Sequence, residues 1–227
     1  MSLKAQLDAC RRAFEVNSEA HVVAALQRCI AELTEMGLAS QAVKAGNMAP
    51  PFGLPSGSGG FFSLSDRLDR GPVVISFIRG IWCPFCTLEL QALSQVQAEI
   101  KRLGATVIAL SPHVRGRSEC LGRDGSPTFP LLWDRGCRIA TRYRIAFTVP
   151  EKFRAAYLSF GYGNWSKTVS GSWVLPLPAT YVIDSNGLVV ISYVDPDFTT
   201  RLDPAEVVTA LAHLGARTNA TLSGSFN

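Results

Sequence analysis

The first forty residues carry apolar side chains at helical spacing. Leu3, Leu7, Cys10 and Phe14 fall on one face, and Val22, Leu26, Cys29, Ile30 and Leu33 on another, with Gly37 as the stop. On this pattern Cys10 and Cys29 are core-facing small hydrophobes. The stretch KAGNMAPPFGLPSGSGG, 44–60, is rich in Pro, Gly and Ser and reads as a connector or surface loop. Beyond it the period changes. PVVISFI (72–78) is a short β-branched run typical of a buried strand, and from Pro84 the residues Leu90, Leu93, Val96, Ile100 and Leu103 mark a helix closed by Gly104. ATVIALS (105–111) and FPLLWD (129–134) are further strands, and a short helix runs through Ile139 and Tyr143. ATYVIDSNGLVVISYV (179–194) is two β runs joined by Asp-Ser-Asn-Gly, a hairpin in which Asp184 and Asn186 serve the turn. DPAEVVTALAHLG (203–215) is a closing amphipathic helix with Asp203 as N-cap and Pro204 at N1.

A parallel β-α-β half followed by an inserted strand and helix, then a β-β-α half, is the thioredoxin arrangement. The expected fold is therefore α/β and thioredoxin-like: a mixed sheet flanked by helices. The expected division is an N-terminal helical extension over 1–43, one α/β domain over 44–215 and a frayed tail over 216–227. No internal repeat is visible.

Composition narrows the function. With 227 residues, 47% hydrophobic and 18% charged, the chain is long enough for a filled core and too apolar for global disorder. A formal charge of +4 without basic runs interleaved with aromatics argues against nucleic-acid binding. No apolar run reaches the ~18 residues of a membrane-spanning helix. The charged start MSLKAQLDACRR lacks the apolar core of a signal peptide, which makes the cytoplasm the expected location. There lasting structural disulfides are uncommon. Of the six cysteines only Cys83 and Cys86 form a C-x-x-C pair. With no second ligand pair to complete a zinc site, redox chemistry is the remaining reading.

The preceding strand and following helix put Cys83 at the helix N-cap and Cys86 at N3, with Pro84 at N1. Unpaired N–H groups and the positive end of the helix dipole stabilise a thiolate there, drawing its pKa below the ~8.5 of a free thiol. Residues three apart on a helix have Cβ atoms about 5–6 Å apart, close to what a disulfide needs after small adjustment. One sulfur can attack while the other resolves the product.

RGIWCPFCTLEL, FPLLWDRGCRIATRY and LPLPATYVIDSNGLVVISYV together resemble the peroxiredoxin-like, AhpC/TSA branch of the thioredoxin superfamily, over about residues 45 to 214 and in the family's order. The resemblance implies that the 129–143 segment is a peroxiredoxin-type insertion. It also puts Cys86, in Cys86-Thr-Leu-Glu-Leu90, in the peroxidatic position, with Glu89 as the family's glutamate. The pattern expects Thr three residues before Cys86 and Pro seven before, where this chain has Cys83 and Arg79. It expects an activating Arg where this chain has Pro178, which resembles instead the cis-proline of thioredoxins. Arg79 is the candidate for the missing positive charge. The alternative for Arg79 is a solvated residue at a strand end.

Two enzymatic readings follow. In a thiol peroxidase, Cys86 attacks hydrogen peroxide or an alkyl hydroperoxide, Cys83 closes the disulfide, and a thioredoxin-type dithiol protein reduces it, with no cofactor required. In a thiol–disulfide oxidoreductase, Cys83 attacks a protein disulfide and Cys86 resolves it. A third reading is a non-enzymatic redox sensor. Trp82 is expected to cover the pair, and His113 to be a surface-loop histidine rather than a proton shuttle. Cys120 and Cys137 are not needed as resolving thiols. Phe153, Tyr157, Phe160, Tyr162, Trp165 and Trp173 read as packing of the segment before Pro178, ahead of the alternative that they line a substrate groove. The N-terminal helices offer either a homodimer contact or a cap on the domain.

Overall fold

The computed structural model describes residues 1–55, 60–113, 119–121, 127–162 and 173–223, with side chains of 119–128, 162 and 217–223 excepted. Cys120, Tyr162 and Trp165 thus have side chains outside the described residues. The chain opens with α1 (Leu3–Asn17) and α2 (Ala20–Glu35), followed by a short α3 (Leu38–Gln41). Leu3 and Leu7 on α1, and Val22, Leu26, Cys29 and Leu33 on α2, are buried; Cys10 is only half-buried.

The region expected to be a loop contains β1 (Gly53–Pro55), which pairs antiparallel with β2 (Phe61–Ser63) and leads into α4 (Leu64–Leu68). Strands of three residues are too short to show a period. Next come β3 (Val73–Phe77), α5 (Pro84–Arg102) and β4 (Thr106–Ser111), then β5 (Glu119–Leu121), β6 (Pro127–Trp133) and α6 (Arg138–Arg142). A two-stranded ribbon of β7 (Ala146–Thr148) and β8 (Val174–Pro176) flanks α7 (Arg154–Tyr157). The chain closes with β9 (Ala179–Ile183), β10 (Val189–Val194) and α8 (Pro204–Ser223), a helix that runs past its expected end at Gly215.

The main sheet has the order β10-β9-β3-β4-β6-β5. Strands β3, β4 and β6 are parallel, and β9 runs antiparallel to both β3 and β10. Every residue of β3 and β9 is buried, as expected of central strands covered on both faces. Among the described residues no helix is long and apolar enough to cross a membrane.

This topology gathers the chemistry at one sheet edge. The C-terminal ends of β3 and β4, the start of antiparallel β9 and the end of β10 all lie there: Phe77 faces both Leu110 and Ala179, and Ala179 faces Val194. The C-P-F-C turn, His113, Pro178 and the loop after Val194 therefore share one edge. Helix α1 lies against α5 on this side, and α2 against α7.

Candidate active site

Strand β3 delivers Arg79, a tight turn follows, and α5 begins at Pro84. Gly80 is required in the turn, because a Cβ there would lie 2.2 Å from the indole nitrogen of Trp82 folded back over it. Cys83 is the N-cap residue, with extended backbone and no side-chain bond to the helix, and Cys86 sits in the first turn. Both thiols are free and fully buried.

Two arginines flank them. Arg201, in the loop between β10 and α8, donates from Nη2 to Cys86 Sγ at 3.3 Å and from Nε to Glu89 Oε2 at 2.5 Å. Its Nη1 reaches the Phe198 carbonyl at 2.6 Å. Glu89, one turn along α5 from Cys86, accepts on Oε1 from Ser76 of β3 at 2.8 Å and from Thr180 of β9 at 3.2 Å. Its carboxylate thus ties helix, sheet and loop together around Cys86. Burial pushes the Glu89 carboxyl above the usual range against the pull of Arg201.

Arg79 is different. It is 1% exposed, with Nη1 3.9 Å from Cys83 Sγ, while Nε and Nη2 have no hydrogen-bond partner. Among the described residues no carboxylate lies within ion-pair distance of it. Aromatic rings enclose its guanidinium instead: Phe198 at 4.0 Å, Trp82 and Tyr157 at 5.0 Å and Phe160 at 5.6 Å. Of the two sequence alternatives for Arg79, the solvated strand-end residue does not hold.

The charges decide the protonation state. Among the described residues two buried guanidinium groups face a single carboxylate, which leaves room for one further negative charge, and the thiol pair can supply it. Burial alone would raise the Cys83 thiol, but the hydrogen bond from Cys86 and the charges of Arg79 and Arg201 bring it down to about 6. Burial and the Cys83 charge hold the second proton well above the ordinary thiol range, on Cys86. The pair behaves as one unit that loses a first proton easily and a second with difficulty.

Two expectations need correction. His113 is no surface-loop residue: it is 2% exposed, and its Nδ1 donates to the Arg79 carbonyl at 3.1 Å. Burial lowers its pKa and keeps it neutral, bracing the turn from beneath. The Leu177–Pro178 bond is trans, since no cis peptide occurs among the described residues, so the likeness to a thioredoxin cis-proline fails in that respect. Pro178 nevertheless sits at the site edge, where its carbonyl accepts from the Asp195 N–H. Tyr157 and Phe160 pack as expected and also form walls of the Arg79 enclosure. Cys137 is buried with its thiol on the Val174 carbonyl, and Cys29 contacts the Tyr157 hydroxyl at 3.7 Å.

Arg201 and Phe198 escaped the sequence reading. Neither lies in a periodic element. A topological signal existed, because the second strand of the hairpin must end at the edge carrying the C-x-x-C turn, and the loop after it holds one basic residue.

Fold and site together define a thioredoxin-fold thiol oxidoreductase. The AhpC/TSA family model matches residues 45–192. Peroxiredoxin Q, a chloroplast protein of Sedum lineare, is 28% identical over 151 residues, covering 66% of this chain and 69% of that protein. The fold is similar to peroxidoxin BcpB from Mycobacterium tuberculosis, with a TM-score of 0.56, 20% identity, and coverage of 76% of this chain and 98% of that one. It is likewise similar to the reduced 2-Cys peroxiredoxin of Plasmodium vivax, with a TM-score of 0.56, 16% identity, and coverage of 78% and 84%. The chain belongs to the AhpC/TSA family, and as a peroxiredoxin-like member it is a thiol peroxidase.

Proposed function

We propose that the Cys83–Cys86 pair reduces hydrogen peroxide or an alkyl hydroperoxide, with Cys86 as the attacking sulfur and Cys83 as the resolving one. The observation that carries this reading is the 3.3 Å contact from Arg201 to Cys86, with Glu89 fixing the guanidinium. In the state with the pair's remaining proton on Cys83, the Cys86 thiolate attacks a peroxide oxygen. The O–O bond breaks, and the departing oxygen takes a proton and leaves as water or alcohol. Cys86 is then a sulfenic acid. The Cys83 sulfur attacks it, the S–O bond breaks, water leaves with the Cys83 proton, and the disulfide closes. A thioredoxin-type dithiol protein returns the two electrons by exchange. A cleft of about 570 Å³ lined by Trp82 and Pro84 lies beside the turn that carries the buried pair. Cytoplasmic location and a homodimer are part of the same proposal.

A second reading is favoured by the charge resting on Cys83: attack by Cys83 on protein disulfides, resolved by Cys86. Single-turnover oxidation with a sulfenic-acid trap, read by mass spectrometry, separates the two. The first reading expects Cys83→Ser to react fast and accumulate sulfenic acid on Cys86, with Cys86→Ser inert. Mixed disulfides on Cys83 in Cys86→Ser, with peroxide reacting no faster than with a free thiol, would establish the second.

A further inference from the structure

The reduced and the oxidised pair leave the site with different charge. Reduced and holding one proton, the two sulfurs carry a single negative charge between Arg79 and Arg201, whose nitrogens stand 3.9 Å from Cys83 Sγ and 3.3 Å from Cys86 Sγ. Glu89, paired with Arg201, carries the second negative charge. Positive and negative charges then balance. Closing the disulfide removes two electrons and the remaining proton, and the negative charge of the pair disappears. One buried guanidinium is left without a counter-charge among the described residues.

The shortfall falls on Arg79. Arg201 keeps Glu89 and the carbonyls of Phe198 and Thr200. Arg79 is 1% exposed, has Nε and Nη2 unpartnered, and retains only the faces of four aromatic rings. A buried charge that loses its partner is strongly destabilising. The neighbouring groups do not make up the difference. Burial holds Tyr157 of α7, Cys29 of α2 and Tyr193 of β10 above their ordinary ranges and His113 below its own, so all four stay neutral around neutral pH. The carboxylates of Asp195 and Asp197, in the loop that carries Arg201, accept from Thr200 and Thr199 instead.

We propose that the Cys83–Cys86 disulfide is a strongly oxidising one, because the folded protein stabilises the reduced pair through Arg79 and strands that charge on oxidation. A disulfide whose reduced form is specifically stabilised is easily reduced, so a monothiol pool of glutathione type is enough to recycle it. The usual relation between cross-link and stability is inverted: a disulfide ordinarily stabilises a fold, whereas this fold favours its dithiol. The inference rests on the redox pair of the proposed function, and not on which sulfur attacks peroxide.

Two measurements test it. Urea denaturation of the wild type in both redox forms needs no variant, and the reduced protein should have the higher midpoint. Equilibration with glutathione and glutathione disulfide at neutral pH, approached from both redox forms, gives the constant for disulfide formation. That constant should rise about five- to tenfold in Arg79→Met, as expected when the first thiol midpoint moves up by about one to two pH units from about 6. One further pH unit should lower the wild-type constant about tenfold and the variant's less, since the charged pair takes up one proton fewer than two glutathione thiols. An oxidised wild type that resists urea better than the reduced one, or a constant unchanged in Arg79→Met, overturns the proposal; rapid peroxide reduction by the same protein would leave the peroxidase reading standing. The predicted poise in a protein that reduces peroxide no faster than a free thiol does would uphold the proposal and remove that reading.

Discussion

The two arginines beside the thiol pair are buried to similar depth and built on opposite principles. Arg201 has a carboxylate partner, two backbone carbonyls and a sulfur within hydrogen-bonding reach. Arg79 has four aromatic rings, one sulfur at 3.9 Å and two unpartnered nitrogens. A buried ion pair with its hydrogen bonds met fixes the groups around it, and a buried guanidinium with unpartnered nitrogens is a place where a ligand or a charge change can act. The Arg201 side therefore anchors Cys86, whereas the Arg79 side leaves capacity free beside Cys83.

Replacing each arginine by the uncharged methionine should split the two roles. Arg201→Met strands the Glu89 carboxylate among Ser76 and Thr180, and loss of one partner of a buried pair costs about 3–5 kcal/mol. Urea denaturation of the reduced protein should show that loss. Arg79→Met removes a charge that has no carboxylate partner, so its unfolding midpoint should stay at or above that of the wild type. Equal destabilisation by both substitutions would erase the distinction.

Reactivity should respond to Arg79 even where stability does not. Without Arg79 the first proton of the pair is held more tightly, moving up from about 6. At neutral pH a rise of about one to two pH units in the midpoint cuts the thiolate fraction, and with it the peroxide rate constant, by about two- to tenfold. In the wild type the rate should climb as pH rises through about 6 and then level, because deprotonation creates the nucleophile. In Arg79→Met the rising limb should move to higher pH. A rate constant that is flat from pH 5 to pH 8 in both proteins would break the link between Arg79 and the thiolate; those limits span about one unit below to two above the wild-type midpoint.

The smallest effect belongs to the brace beneath the turn. His113→Asn removes the imidazole that donates to the Arg79 carbonyl, and a single hydrogen bond of this kind contributes about 1 kcal/mol. The denaturation midpoint should fall modestly while the pH profile keeps its position. A shifted profile would give His113 a share in the proton chemistry.

The difference between the two arginines also marks how far the sequence could be read. The β-branched runs at 72–78, 105–111 and 179–194 and the helical spacing from Leu90 to Leu103 led directly to β3, β4, the β9–β10 hairpin and α5. Cys83, Cys86 and Glu89 were readable because they sit in one short motif on one helix. Arg201 lies in an aperiodic loop and meets Cys86 only through tertiary folding across 115 positions. His113 follows a strand end, where solvent exposure is the ordinary expectation, but the turn of Arg79 closes over it. The short β1, β2, β7 and β8 strands stabilise each other in pairs and leave no period in the sequence.

The central claim is that the thiol pair carries one shared negative charge, held between two unequal arginines. Thiolate absorbance in the ultraviolet, followed against pH for the reduced wild type and both single serine variants, measures it directly. The account predicts one thiolate appearing with a midpoint near 6 in the wild type and a second only well above the ordinary thiol range, with a single thiolate transition in each variant. No thiolate from the pair until the ordinary range near ~8.5 would contradict it.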